Sequence, residues 1–195
     1  MTMAPRVLGI AGSPRRYGNS DRLLEAALDG AREAGAETRL LVAGEADLRP
    51  CQGCNACSLS GECVLRDGGA RLYETVDAAD AIIVSSPVFF ATVPAVLKIV
   101  IDRMQPYWAR RFVLGQELER RRPGAILLAR SGGDPYGFSA AEATIRSALA
   151  VLGVDVLGTV EAEGVDGRAD LDARPELLQQ ARALGRSVAG AARRG

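Results

Sequence analysis

With 195 residues, 48% of them apolar, and a formal net charge of zero, the chain is long enough to bury one substantial core, and it has no charge imbalance that calls for a polyanionic partner. The Arg120-Arg121-Arg122 run and the Arg193-Arg194 pair read as a solvated face or a strand lead-in, so no nucleic-acid partner is expected. No apolar stretch approaches the roughly 18 residues of a spanning helix and the run at Val7 is too short for a signal peptide, so no membrane is expected and the expected location is cytoplasmic.

One domain over residues 1–195 is expected, with a cysteine-rich loop at 47–67. Val7 to Ala11 is a continuous apolar run, the pattern of a strand buried on both faces of a parallel sheet. Gly12-Ser13-Pro14-Arg15-Arg16-Tyr17-Gly18-Asn19-Ser20 follows, and then Leu23, Leu24, Ala27, Leu28, Ala31 and Ala34 at helical spacing, with Ser20 as the expected N-cap and Gly35 as the stop. A loop of small and hydroxylated residues between a strand end and a helix start presents N–H and O–H groups to a phosphate. Ser13, Gly18, Asn19 and Ser20 are its candidate holders, with Arg15 or Arg16 for charge.

Thr38 to Val42 reads as the second strand, and residues 47–67 have no sustained period. A short helix at 70–78 leads to the buried strand Ala81 to Ser85 and a second strand-end loop, Ser86-Pro87-Val88-Phe89-Phe90. Pro94 opens a helix striped by Val96, Leu97, Val100, Ile101 and Met104, and residues 105–122 read as irregular. Gly124 to Ala129 is a fourth strand, running into Arg130 and a third loop at Ser131, Gly132 and Gly133. Ser139 and Glu142 read as a capping box, Val154 to Val160 as a fifth strand, and Pro175 to Ala189 as the last helix. Five strands alternating with helices predict an α/β doubly wound parallel sheet, whose ligands bind outside the carboxyl ends of the strands.

The first loop lacks both Gly-x-x-x-x-Gly-Lys and Gly-x-Gly-x-x-Gly in register with the strand, which argues against a nucleoside triphosphate and a tightly held dinucleotide. A single terminal phosphate suits it better. Histidine is absent from the chain, removing the commonest general base, and no side chain is assigned a catalytic acid or base role. Cys51, Cys54, Cys57 and Cys63 are the only cysteines. Their spacing can surround an iron–sulfur cubane from one compact loop, while zinc, simple packing and oxidisable thiols remain as other readings of the same pattern.

Gly12-Ser13-Pro14-Arg15 with Gly18-Asn19-Ser20, the four cysteines with their neighbours, Ser86 to Phe90, and Leu97-Lys98 with Ile101-Asp102-Arg103 together resemble the flavodoxin-like NADPH-dependent FMN reductases, and within them the iron-sulfur flavoproteins. The resemblance implies a five-stranded flavodoxin-like fold and FMN as cofactor. It places the FMN phosphate in the first loop, the isoalloxazine ring along Ser86, Pro87, Val88, Phe89 and Phe90, and Ser131, Gly132, Gly133 and Asp134 over the other side. It also implies a [4Fe-4S] cluster on the four cysteines, electrons supplied by NAD(P)H or a ferredoxin-like protein, and a homodimer or homotetramer with Trp108 in its contact surface. Phe89 stands where the family usually has tyrosine, and the family's acidic pair after the last cysteine is reduced to Asp67 followed by Gly68. The expected function is that of an FMN-dependent oxidoreductase. The competing expectations are a non-enzymatic electron carrier or redox-sensing module and, more weakly, a zinc-stabilised phosphate-binding domain without flavin.

Overall fold

The computed structural model describes residues 3–118 and 120–194. Its strands are β1 (Arg6–Ala11), β2 (Glu37–Val42), β3 (Ala81–Pro87), β4 (Arg122–Arg130) and β5 (Val154–Glu163). All pair in parallel, in the order β2-β1-β3-β4-β5. This is the flavodoxin-like doubly wound order, with its switch point between β1 and β3. The central strands are continuous apolar runs because helices cover both of their faces, whereas β2, at an edge, is exposed at alternate and consecutive positions.

On one face lie α1 (Asn19–Glu33) and, at the C-terminus, a long helix running Pro175–Ala192. On the other lie helices at Gly69–Asp77, Ala95–Asp102, Gln105–Phe112 and Ser139–Val151. A four-residue helix, Cys57–Ser60, sits inside the cysteine loop. In chain order the helices after α1 are therefore α2 (Cys57–Ser60), α3 (Gly69–Asp77), α4 (Ala95–Asp102), α5 (Gln105–Phe112), α6 (Ser139–Val151) and α7 (Pro175–Ala192).

Three local expectations are corrected. Residues 105–112 are helical, because Pro106 falls in the first turn, where its missing N–H costs nothing, and Ala109 and Pro106 are buried while Trp108 faces out. Ser20 lies inside α1, which begins at Asn19 with Gly18 as N-cap and no side-chain cap. Ser139 and Glu142 form no capping box: Phe138 is the N-cap of α6, and Glu142 accepts hydrogen bonds from Thr159 and Arg146 at 2.8 Å each.

The two helices on the first face cross at glycines. A Cβ on Gly30 would overlap the Arg182 carbonyl, and one on Gly185 would overlap the Ala27 carbonyl. Backbone-to-backbone approach leaves no flexible side chain to give way, so Gly30→Ala is expected to destabilise the fold by about 1–3 kcal/mol. Urea denaturation measures this; an unchanged midpoint would mean that the crossing is looser than described.

Candidate functional site

The carboxyl ends of β1, β3 and β4 are held side by side by backbone hydrogen bonds that continue past the strands. Ala11 pairs with Ser85 and Pro87 with Ala129. Gly12 N–H donates to the Ser85 carbonyl at 2.8 Å, and Val88 N–H donates to the Ala129 carbonyl at 2.9 Å. The three loops therefore start in register and converge on one cleft of about 280 Å³, walled by residues 13, 15–20, 87–89, 129–131, 165, 166 and 168.

The first loop is a tight turn that leads into an uncapped helix start. Ser13 Oγ donates to the Arg15 carbonyl at 2.8 Å and accepts from Arg15 N–H at 3.0 Å, closing a tight turn. Tyr17 adopts φ 61°, a left-handed conformation costly for a bulky residue, and its N–H is held by the Asp21 carboxylate at 2.8 Å. Burial pushes the Asp21 carboxyl up, against the Tyr17 N–H and Arg16, which pull it down. The first helical bond of α1 runs from Arg22 N–H to Gly18 at 3.0 Å. The N–H groups of Asn19, Ser20 and Asp21 precede it and have no helical acceptor, and no side chain caps them. With Arg15, Arg16 and Arg168 on the same wall, this is a positively polarised helix N-terminus open to a phosphate.

Two buried polar atoms at the cleft have no hydrogen-bond partner among the described residues, Asn19 Oδ1 and Arg130 Nε. Buried groups of this kind are rare unless a ligand completes them. The Asn19 amide also donates from Nδ2 to the Gly167 carbonyl at 3.1 Å, tying α1 to the connection after β5. An uncapped helix start at one end, the Pro87–Phe89 wall at the other, and orphaned donor and acceptor atoms between them suit a ligand with a phosphate, a polar linker and a flat ring. FMN has those parts.

The sequence-assigned residues divide. Ser13, Arg15, Gly18, Asn19, Ser20, Pro87, Val88, Phe89 and Ser131 line the cleft. Ser86 is buried, and its hydroxyl donates to the Pro87 carbonyl at 2.8 Å, so it shapes the strand end rather than facing the void. Phe90, Gly132 and Gly133 stand outside the wall and are exposed. Tyr17, Arg130 and Arg168 were not assigned. Their signal was positional: Arg130 directly follows the apolar run of β4, and Arg168 lies just beyond the last strand, whose carboxyl end meets the same edge.

The cysteine loop forms a second feature. Cys51, Cys54, Cys57 and Cys63 line one cavity of about 330 Å³, together with Arg103, Gln105 and Pro106. Cys57 is buried, which pushes its thiol up, while Cys51 and Cys54 are exposed. The four thiols border one void, and among the described residues no three His, Cys, Asp or Glu side chains form a group that could hold a metal ion. In a cubane each of four thiolates binds a different iron, whereas in a structural zinc site all four bind one ion.

Both ends of this loop are fastened to one guanidinium. Arg103, 1% exposed at its side chain, donates to both Asp67 carboxylate oxygens, at 2.6 and 3.0 Å, and to the Arg49 carbonyl at 3.0 Å. The Asp67 carboxylate also accepts the Arg49 and Gly69 N–H groups, each at 2.9 Å. The Arg103 hydrogen bonds, helped by those N–H groups and opposed by burial, hold the Asp67 carboxyl well below the usual carboxylate range.

The family described as NADPH-dependent FMN reductase matches residues 5–163. An iron-sulfur flavoprotein of Methanocaldococcus jannaschii is 34% identical over 94% of this chain and 95% of its own length. An iron-sulfur flavoprotein of Archaeoglobus fulgidus is 40% identical over 57% of this chain, which spans only 50% of that relative. Among solved structures, an NAD(P)H:quinone oxidoreductase from Methanothermobacter marburgensis superposes with a TM-score of 0.74 at 21% identity, over 95% of this chain and 96% of that one, a likeness of fold.

Because the Asp67 carboxyl is depressed in the folded state, its contribution is fully present above the ordinary carboxylate value near 3.9 and is lost as pH falls toward the folded-state value. Asp67→Asn is expected to remove about 3–5 kcal/mol at neutral pH by leaving Arg103 buried and unpaired. Its stability should also fall less steeply than the parent's between pH 4 and pH 2, in denaturant melts at each pH. Parallel acid limbs for the two proteins would contradict the assignment.

Proposed function

The chain belongs to the NADPH-dependent FMN reductase family and is an FMN-dependent oxidoreductase, and from that premise we propose that it takes electrons from NAD(P)H and passes them to an acceptor, with Cys51, Cys54, Cys57 and Cys63 as the residues that would hold a [4Fe-4S] cluster. The observation that carries the cofactor assignment is the single cleft in which an uncapped α1 N-terminus, the Pro87–Phe89 wall and the end of β4 meet. The first loop receives the phosphate through the Asn19, Ser20 and Asp21 N–H groups and the Ser20 hydroxyl, with Arg15, Arg16 and Arg168 balancing its charge. Pro87, Val88 and Phe89 give the ring an apolar wall, and the missing hydroxyl at Phe89 leaves that wall without a side-chain donor. FMN supplies hydride and one-electron chemistry when bound. The protein's part is to hold and orient it and to limit water at the buried side of the cleft.

Four thiols around one cavity support the cluster, as do the names of the two relatives. Bound there, it would supply single-electron transfer. We also propose a homodimer or homotetramer, supported by the apolar surface at the end of α5, where Trp108, Phe112, Val113 and Leu114 are exposed and the Trp108 and Phe112 rings lie 6.0 Å apart.

Anaerobically purified protein is expected to show flavin absorption, to contain about four iron and four sulfide per chain, and to oxidise NADH or NADPH rapidly. Flavin without iron would remove the cluster, and reduction only by a protein donor would make the protein an electron carrier. Asn19→Asp adds a negative charge beside the phosphate, and the FMN dissociation constant should rise at least about tenfold, read by quenching of flavin fluorescence. Unchanged affinity would move the phosphate away from α1.

A further inference from the structure

Arg130 terminates β4 at the edge of the cleft, with its side chain 12% exposed. Its neighbours occupy only part of the guanidinium. Nη1 donates to the Asp134 carbonyl at 2.8 Å, Nη2 pairs with Glu163 at the end of β5, and the group lies 5.1 Å from the Phe138 ring centroid. Nε is buried and has no hydrogen-bond partner among the described residues. The fork is thus fixed from three sides, by the third loop, β5 and the residue that caps α6, and its enclosed Nε–H is left unpaired in a residue that lines the cleft. Its counter-charge is incomplete too, because Glu163 is 61% exposed and its carboxylate is largely screened by solvent.

We propose that Arg130 is a cofactor-tuning residue: Nε–H donates to the polar edge of the flavin ring, and the fixed positive charge favours the reduced flavin over the oxidised one. This rests on the FMN reading above. When a hydride passes from NAD(P)H to the flavin, NAD(P)H is oxidised to NAD(P)+ and the ring takes two electrons and one proton. Unless a second proton follows from solvent, the ring is left with one more negative charge than before. A guanidinium already immobilised before that charge develops stabilises it without reorganising. Arginine suits this role because it stays protonated and because its planar fork can be anchored by two nitrogens while the third serves the ligand. The adjoining loop supports the same placement. The Asp134 carboxylate accepts Ala91 N–H at 2.9 Å and Tyr136 N–H at 2.8 Å, so the segment that Arg130 grips is also bonded to the turn following Phe89.

The test compares FMN-loaded wild type with Arg130→Met and Glu163→Gln, reading the flavin midpoint potential by anaerobic dye titration and the dissociation constants of oxidised and reduced FMN separately. Arg130→Met is expected to lower the potential and to weaken reduced FMN roughly tenfold more than oxidised FMN. Glu163→Gln, which removes the carboxylate that offsets Arg130, is expected to shift the potential the opposite way. A purely structural Arg130 would weaken both oxidation states equally and leave the potential unmoved, which overturns the proposal. If Arg130→Met fails to fold or to take up FMN, Arg130→Gln, which removes the charge and keeps a polar group at the same anchors, decides alone: an unchanged or raised potential overturns the proposal. Wild-type protein that binds no FMN sinks the cofactor assignment itself, a result distinguishable from either.

Discussion

The architecture of the site depends on a backbone constraint at the carboxyl edge of the sheet. Gly12 donates to the Ser85 carbonyl just where β1 and β3 part, and a Cβ at Gly12 would press on that carbonyl and on Leu97. Only a glycine lets the chain leave β1 that close to β3. The consequence is registration: the first loop begins beside the second, and Val88 N–H to the Ala129 carbonyl places the second beside the third. Strand order supplies the crevice, because α1 returns on one face of the sheet and α4 on the other from this switch point. The anion loop, the apolar wall and Arg130 are then neighbours without any contact needing to draw them together.

The cysteine loop has no comparable sheet edge to order it, and an ion pair does this instead. Residues 47–67 carry only one short helix, so few backbone bonds of their own hold the segment. Arg103 fastens Arg49 and Asp67, on either side of the four cysteines, to the end of α4. A buried bidentate pair gives little net stability over an apolar substitute, but removing one partner is costly, and its geometry is directional. That directionality suits a loop whose purpose is to keep four thiols facing one cavity.

Much of this was legible in the sequence because the signals are local. Apolar runs over Val7–Ala11, Ala81–Ser85 and Gly124–Ala129 gave the buried strands, and the glycine- and serine-rich segments at their carboxyl ends gave nine of the cleft residues. What the sequence did not show depended on context beyond the local pattern. Glu142 belongs to Thr159 across the sheet face and not to its own helix start, and the Ser86 hydroxyl turns back to its own strand. Arg103 was visible as part of a motif, yet its partner Asp67 lies 36 positions away and composition cannot pair them. The helix over residues 105–112 was hidden because Pro106 reads as a breaker unless the start of the helix is known.

Seen together, the two features are not independent. Helix α4 touches both: Leu97 packs against Gly12 at the root of the anion loop, and Arg103, the residue that ends the helix, grips the base of the cysteine loop. Six residues of helix separate these contacts, about 9 Å along the axis. A helix this short has little freedom to flex between its ends, and its buried Leu97 and Val100 lock it onto the sheet. The cleft and the cysteine cavity are therefore referenced to the same rigid element. For the electron transfer proposed above, a fixed separation between the two sites serves better than direct contact. Joining one loop by backbone register and the other by an anchored guanidinium, through a single turn-and-a-half of helix, meets that requirement with few residues.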